Sequence, residues 1–167
     1  MIRWLIGAGF LVAAVGIYFW MRAGWLARRR RQADVTRPTP APASAELGEL
    51  LAERDLFYVA TTKASDRLDR IVVGGLGFRG RAVVSVHPDG VVLDIAGEPP
   101  ILIARADLRD VGRSTWTIDR VVETDGLIKL GWRLGDLDVD TYLRDSDDPR
   151  ELVAAVSTLI STGEKTS

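Results

Sequence analysis

The sequence predicts a mainly β domain that ends in one helix and is preceded by a single membrane-spanning helix. Three observations support this prediction. A run without charged side chains occupies residues 4 to 21, apolar and polar residues alternate through residues 78 to 95 and 128 to 143, and a helical apolar period begins after Asp148. The chain of 167 residues is long enough for one anchor and one domain.

The predicted anchor runs from Trp4 to Met21 and contains no charged residue. As a helix it would span about 27 Å at ~1.5 Å per residue, which is close to the thickness of the hydrocarbon core of a membrane. Tryptophans near its two ends, Trp4 and Trp20, are typical of the aromatic belts at membrane interfaces. We therefore expect residues 1–21 to form an N-terminal transmembrane anchor.

The basic residues beside the anchor predict its orientation. Arg3 is the only charged side chain before the run, whereas the arginines that follow it closely are Arg22, Arg28, Arg29, Arg30 and Arg31. Because Lys and Arg are retained on the cytoplasmic side during insertion, we expect the N-terminus outside the cell (inner) membrane and the C-terminal domain in the cytoplasm. A cleaved signal peptide is the alternative, but no small-residue cleavage site closes the apolar run.

Residues 22–44 form a predicted linker that is rich in arginine and proline. The first 44 residues hold seven arginines and one acid, Asp34, for a net charge of +6, which leaves −7 on residues 45 to 167 within the total of −1. Alternating prolines in residues 37 to 44 favour an extended spacer, and a disordered connection without a set length is the alternative. The basic strip should be attracted to the anionic inner leaflet, from which the acidic domain is repelled.

Two predicted β-hairpins organise the domain, which we place at residues 45–167. The first runs through residues 78 to 86, turns at Pro88–Gly90 and returns through residues 91 to 95. The second pairs residues 128 to 134 with residues 137 to 143 around the two-residue turn Gly135-Asp136, so that Asp138 and Asp140 point to solvent. Shorter strands are expected at residues 57–61, 68–73, 101–104, 111–115 and 120–123.

A C-terminal amphipathic helix is predicted to close the domain. Asp148 suits the N-cap, Pro149 the first helical position and Glu151 the returning partner of a capping box. The apolar residues at helical spacing are Leu152, Ala155, Val156, Leu159 and Ile160. We expect this apolar face to cover the open end of the sheet. Residues 45 to 54 are a candidate for a second, short helix.

The predicted order of about seven strands followed by one helix is that of a pleckstrin-homology (PH)-like barrel. Residues 58–62 (YVATT), 69–79 (DRIVVGGLGFR) and 131–136 (GWRLGD), behind one N-terminal span, resemble the membrane-anchored bacterial PH-like proteins of actinobacteria. The resemblance implies a PH-like seven-stranded barrel capped by an amphipathic helix. Its motifs are turns and strands, not catalytic residues. The labels of export or transporter protein sometimes attached to this group imply little, because one span cannot form a transport path.

Several segments imitate chemical motifs without the context that the chemistry requires. Residues 75 to 80 spell G-x-G-x-x-G, but a β alternation follows in place of a phosphate-binding helix, so we interpret the glycines as turn residues. His87 is the only histidine and stands beside a turn, and the aspartates of residues 136 to 140 alternate along a strand instead of encircling an ion. We expect no catalytic residues, metal site, cofactor or enzymatic activity. Nucleic acid is not an expected partner, because the basic cluster lies at the membrane.

The remaining candidate is an anion-binding site formed by Lys63, Arg79 and Arg81. Alternation places Arg79 and Arg81 on one outward face, and the pattern is similar to the basic residues with which some PH domains hold inositol phosphates. Asp66 and Asp69 lie nearby in the sequence, and the region has a net charge of −7. Solvated surface residues are therefore the alternative interpretation.

These features predict a non-catalytic interaction module that is held at the inner membrane to recruit or position a protein partner. The alternative is a membrane-tethered ligand or lipid sensor, or an accessory subunit of a transporter or enzyme. Gly9, Ala13 and Gly16 form a stripe of small residues that would permit a homodimer through the transmembrane helix. Small residues are also common in membrane helices that do not dimerise, so both interpretations of the stripe stay open.

Overall fold

A computed structural model describes residues 2–31, 35–43, 46–114, 127–145 and 148–164 of the chain. The chain divides into two compact units, Met1–Asp34 and Val35–Ser167. The second unit begins within the range predicted as a linker, because Thr39–Pro40 pairs with the sheet of the domain. The strand predicted at residues 120–123 lies outside the described residues.

The first unit is a helix, α1, over Ile2–Arg31. It contains the predicted anchor and continues through the arginines that follow, since alanine, leucine and arginine all favour helix. The side chains of α1 from residue 10 to residue 21 are exposed, among them Phe10 at 75% and Trp20 at 80%. Among the described residues, no helix combines the length and the apolarity that would carry it across a membrane.

The second unit is built on one antiparallel sheet. Its strands in chain order are β1 (Thr39–Pro40), β2 (Ala52–Lys63), β3 (Asp66–Arg70), β4 (Gly80–His87), β5 (Gly90–Ile95), β6 (Ile101–Ala104), β7 (Leu108–Ser114), β8 (Leu127–Leu134) and β9 (Leu137–Arg144), with a short 3-10 helix over Arg105–Asp107. They lie side by side in the order β1, β6, β5, β4, β2, β9, β8 and β7, and β3 pairs with β2. The long strand β2 therefore joins the two halves of the sheet.

The sheet is open, so the prediction of a closed barrel is wrong. β2 pairs with β4 through residues 52–58 and with β9 through residues 57–63, and a β-bulge lies between Tyr58 and Ala60. A bulge bends its strand, so the two halves of the sheet meet where β2 bends. Within the described residues, however, the first and last strands of the order, β1 and β7, do not pair with each other, whereas a barrel requires these two strands to be hydrogen-bonded.

Both predicted hairpins are confirmed. Pro88–Gly90 joins β4 to β5, and the turn at Gly135-Asp136 joins β8 to β9. Gly135 has a φ of 61°, a left-handed conformation that glycine adopts without steric strain. The candidate helix at residues 45 to 54 is wrong, because residues 47 to 51 are not helical and β2 begins at Ala52. The shorter predicted strands correspond to β2, β3, β6 and β7, although β3 ends at Arg70.

The predicted C-terminal helix is confirmed as α2, Arg150–Glu164. Asp148 Oδ1 accepts a hydrogen bond from the Arg150 backbone N–H at 3.1 Å, as an N-cap side chain does. The buried side chains of the helix are Leu152, Val156 and Leu159. They complete the apolar core formed by the inward side chains of the sheet, against β7, β2 and β4. An ion pair between Arg54 and Glu151 also joins β2 to α2.

Candidate functional site

A buried chain of hydrogen bonds positions the glycine-rich turn that follows β3. The Trp132 indole N–H donates to the Thr141 hydroxyl at 2.9 Å, and the Thr141 and Thr61 hydroxyl oxygens lie 2.9 Å apart. The Tyr58 hydroxyl oxygen lies 2.9 Å from the Thr61 hydroxyl oxygen and 3.0 Å from the Leu76 carbonyl oxygen. Side chains of β8, β9 and β2 are thus connected to the turn at Leu76.

The Leu76 carbonyl determines the direction of every hydrogen bond in this chain, because a carbonyl oxygen can only accept. Tyr58 donates its single proton to Leu76, so Thr61 must donate to Tyr58. Thr141 in turn donates to Thr61, and Trp132 donates to Thr141. Each hydroxyl donates one hydrogen bond and accepts one. This series of hydrogen bonds therefore holds the turn in place, and every hydroxyl proton in it is already donated within the protein.

Removing the Tyr58 hydroxyl is expected to lower the free energy of unfolding by about 1–3 kcal/mol, because Leu76 and Thr61 lose a buried partner. Burial raises the pKa of Tyr58 to about 12, whereas an unfolded tyrosine ionises near 10. The unfolded state loses its proton first, so the stability contributed by the hydroxyl falls as the pH rises from about 10 to about 12. Urea unfolding of the wild type and of Tyr58→Phe should therefore differ less near pH 11 than near pH 8. An equal difference at both pH values would contradict this account of Tyr58.

The residues predicted to flank the anchor belong to the first unit. Trp20 and Arg22 are exposed on α1. The side chains outside the described part of the structure are those of Trp4, Arg28, Arg29, Arg30 and Arg31. The flanking role of all these residues stays a prediction from the sequence.

The structure does not bring the three predicted anion-site residues together. Lys63 ends β2, and its amino group forms an ion pair with the Asp69 carboxylate at 2.6 Å. Arg81 lies on β4 directly opposite Phe57. From Phe57 to Lys63 the strand extends on the order of 20 Å at ~3.3 Å per residue, so one phosphate group cannot contact both cations. Arg79 and Arg81 are both exposed.

Arg81 instead belongs to a row of three outward side chains that crosses the sheet. Phe57 of β2 is paired with Arg81 of β4 on one side and with Arg144 of β9 on the other. Directly opposite residues of antiparallel strands share one face. All three side chains are exposed, and the Arg144 guanidinium carbon lies 6.0 Å from the centre of the Phe57 ring, within the range of a cation–π contact. We call Arg81, Phe57 and Arg144 the arginine row.

The two arginines of the row differ from the cations of the domain that are held in ion pairs. Among the described residues, the cations held in ion pairs are Arg54, Lys63, Arg109, Lys129, Arg133 and Arg150. Neither Arg81 nor Arg144 forms an ion pair within this part of the chain. Residues 45 to 167 carry a net charge of −7, yet none of the acids that the structure describes forms an ion pair with the row. The positive charge of the row is therefore available to a binding partner.

An acidic row lies beside the arginine row on the same face. Val83 of β4 is paired with Asp55 of β2 and with Asp94 of β5. Both carboxylates are exposed, and Val83 is half-buried. The two rows are about 7 Å apart along β4, and the acidic row is displaced by one strand toward β5. We call Asp55, Val83 and Asp94 the acidic row.

The other motif residues have structural positions. Gly75 has a φ of 85° in the turn after β3, which confirms its interpretation as a turn residue, whereas the same interpretation of Gly80 is wrong because Gly80 begins β4. His87 is buried at the end of β4, beside its turn. Asp140 is also buried, so the prediction that it points to solvent is wrong; paired with Thr62 and Gly131, it is shielded by the neighbouring strands. Among the described residues, no group of His, Cys, Asp and Glu is arranged to hold a metal ion.

Two members of the arginine row, Phe57 and Arg144, are not predicted as site residues from the sequence. Phe57 begins a predicted strand, and the last predicted strand ends at Leu143. The alternation that buries Leu143 also turns Arg144 outward, and this is the available signal. The pairing of β2 with β9, which brings Phe57 and Arg144 together, has no such local signal.

Comparisons with known proteins relate the second unit to one family. A family model described as bacterial PH domain-like matches residues 36–159. No curated protein matches the chain significantly. A similar solved structure is that of Vav1 inhibited by an allosteric inhibitor, with 10% sequence identity and a TM-score of 0.43. This similarity covers 84% of the present chain and 34% of the Vav1 chain, so the present chain spans about a third of that length.

Proposed function

The chain belongs to the bacterial PH domain-like family, and from this premise we propose that it presents a non-catalytic interaction domain at the cytoplasmic face of the inner membrane. The domain binds a protein partner and positions it there. The N-terminal helix anchors the chain as a single span, with the N-terminus outside the cell and the domain in the cytoplasm.

The proposed anchor is supported by the sequence and by the surface of α1. No charged side chain occurs from Trp4 to Met21, and arginines follow this run. The consecutive residues Phe10, Leu11 and Val12 are exposed at 75%, 67% and 71%. Neighbouring residues of a helix point about 100° apart, so apolar side chains surround this part of α1. Such a helix is more stable among lipid chains than in water.

The arginine row is the observation that carries the protein-binding function. Phe57 is 37% exposed between two arginines that lack carboxylate partners in the described residues. Aromatic residues and arginine are enriched among the residues that dominate binding energy at protein interfaces. The row also lies on three hydrogen-bonded strands, which hold the backbone of the three residues in a constant arrangement. A partner therefore meets a preorganised surface.

The charges of the domain favour a protein over a membrane surface as the occupant of the row. Lys63, which would complete a headgroup site, is paired with Asp69 and lies far from Arg81 along β2. Asp55 and Asp94 of the acidic row are exposed on the same face. A uniformly anionic membrane would be repelled by these carboxylates, whereas a protein can place a different charge opposite each row.

The isolated domain, residues 35–167, is expected to bind anionic liposomes scarcely, because its acidic groups oppose approach. Sedimentation with vesicles that carry phosphatidylserine and a phosphoinositide measures this binding. A peptide of residues 22–44 is the positive control, since its arginines should bind the same vesicles. The binding of the peptide should fall steeply with salt, because the screening length decreases from about 10 Å at 0.1 M to about 3 Å at 1 M.

The contrary outcome is tight binding by the domain that disappears in Arg79→Ala together with Arg81→Ala. That result would establish headgroup recognition and remove the proposed protein-binding function. Arg37→Ala is a control, because Arg37 is an exposed arginine next to β1, at one end of the strand order and outside the arginine row. A loss of binding shared by this control would reflect only the total charge.

A further inference from the structure

The arginine row has a geometry that restricts what can bind to it. Arg81 and Arg144 lie on β4 and β9, with β2 between them. Two strand spacings separate them by about 10 Å, and Phe57 lies midway. A complementary surface therefore needs two carboxylates about 10 Å apart with an apolar group between them.

An α-helix laid across the strands meets this spacing. With a rise of ~1.5 Å per residue, positions i and i+7 lie on one face about 10.5 Å apart, and positions i+3 and i+4 lie between them. An extended strand places same-face residues about 7 Å or about 13.5 Å apart, and neither distance matches the row. A helical partner is therefore the better geometric match.

We propose that the arginine row binds an amphipathic helix of the partner protein, in which Asp or Glu at positions i and i+7 flank an apolar residue at i+3 or i+4. This inference rests on the proposed protein-binding function and specifies the chemistry of the partner. Each guanidinium donates paired N–H groups to one carboxylate, and the apolar residue packs on the Phe57 ring. The side of the helix above the acidic row carries Lys or Arg, which face Asp55 and Asp94.

A second copy of the chain matches this surface less well. The arginine row occupies β4, β2 and β9, whereas the acidic row occupies β5, β4 and β2. A two-fold axis parallel to the rows would place Arg81 over Val83 of the second copy and Phe57 over its Asp55. Opposite charges would then be one strand out of register, so a different protein is the favoured occupant.

The test uses the full chain in the membranes of the cells that make it, with a photo-crosslinking phenylalanine analogue in place of Ala96. Ala96 is exposed and donates its backbone N–H to the Arg81 carbonyl at 2.9 Å, so it lies beside the arginine row. Irradiation attaches the occupant of the row, and mass spectrometry of the attached peptide identifies the segment. We expect a protein segment with the acid, apolar, acid spacing described above.

Charge reversal connects the captured segment to the row. Arg81→Glu together with Arg144→Glu should reduce the crosslinked yield by about tenfold or more, because two ion pairs are replaced by repulsion. Arg37→Glu reverses one charge outside the row, half of the change in net charge made by the double reversal, and should leave the yield within about twofold. Should the double reversal unfold the domain, Arg81→Gln with Arg144→Gln is measured instead, with the same direction expected. When the two acidic residues of the captured segment are replaced by basic residues, the variant with Arg81→Glu and Arg144→Glu should capture the segment again.

Each remaining outcome contradicts a defined part of the proposal. A captured segment without two acidic residues at this spacing would overturn the inference and leave the protein-binding function in place. Capture of a second copy of the chain would do the same. A yield that the charge changes do not affect would overturn both the inference and the proposed binding of a protein through the arginine row. Capture of lipid alone, or no capture at all, would overturn both the inference and the proposed function.

Discussion

Replacing Leu159 with alanine is expected to lower the free energy of unfolding of the domain by about 2–5 kcal/mol. Leu159 is 5% exposed on the buried face of α2 and belongs to the core that the helix forms with the sheet. The substitution removes apolar contacts and leaves a cavity, because the surrounding strands can close only part of the space. Urea unfolding of residues 35–167, with and without the substitution, measures the effect.

The matched control for this prediction is Ser157→Ala on the same helix. Ser157 is exposed, so its substitution should change the free energy of unfolding by less than about 0.5 kcal/mol. A change of that small size at Leu159 would mean that this face of α2 lies in solvent. It would contradict the packing of the helix on β7, β2 and β4.

A cysteine in place of Ala43 is expected to be shielded from impermeant thiol reagents in intact cells. The arginines that follow the anchor should keep this side of the chain in the cytoplasm. The chain contains no cysteine of its own, so labelling reports the introduced thiol alone. Ala43 is exposed, and the thiol should react fully once the cells are opened.

The matched control for orientation is Ile2→Cys at the other end of the anchor. This thiol should be labelled in intact cells, because the N-terminus is proposed to lie outside. Ready labelling of the cysteine at position 43 in intact cells would overturn the cytoplasmic location of the domain. Labelling of neither position before the cells are opened would indicate that the chain does not cross the membrane.

The hairpins and α2 were predictable because their signals are local. The turn at Gly135-Asp136 and the N-cap Asp148 act on residues within a few positions of themselves. The side-chain period then assigns each flanking residue to one face. The open sheet has no comparable signal, because the alternation along a strand is the same in a barrel and in an open sheet. The two-sided pairing of β2 is a property of the whole fold.

The candidate site was predictable only in part for the same reason. The alternation of side chains along the strand identifies Arg81 as outward. The acidic residues near Lys63 in the sequence argue against an anion site there, and Lys63 is indeed paired with Asp69. The contact of Arg144 with Phe57 requires the register between β2 and β9, strands that are far apart in the sequence. Register between distant strands depends on how all of the faces pack, and no local pattern encodes it.

Native mass spectrometry tests most directly the proposal that the domain holds a protein at the membrane through the arginine row. The 18.3 kDa chain is extracted from its own membranes in mild detergent and its complexes are weighed intact. We predict a mass equal to the chain plus a stoichiometric protein, present with Arg37→Glu and lost with Arg81→Glu together with Arg144→Glu. A chain that carries only a lipid or a small molecule, or that keeps its protein partner in the double variant, would contradict this function.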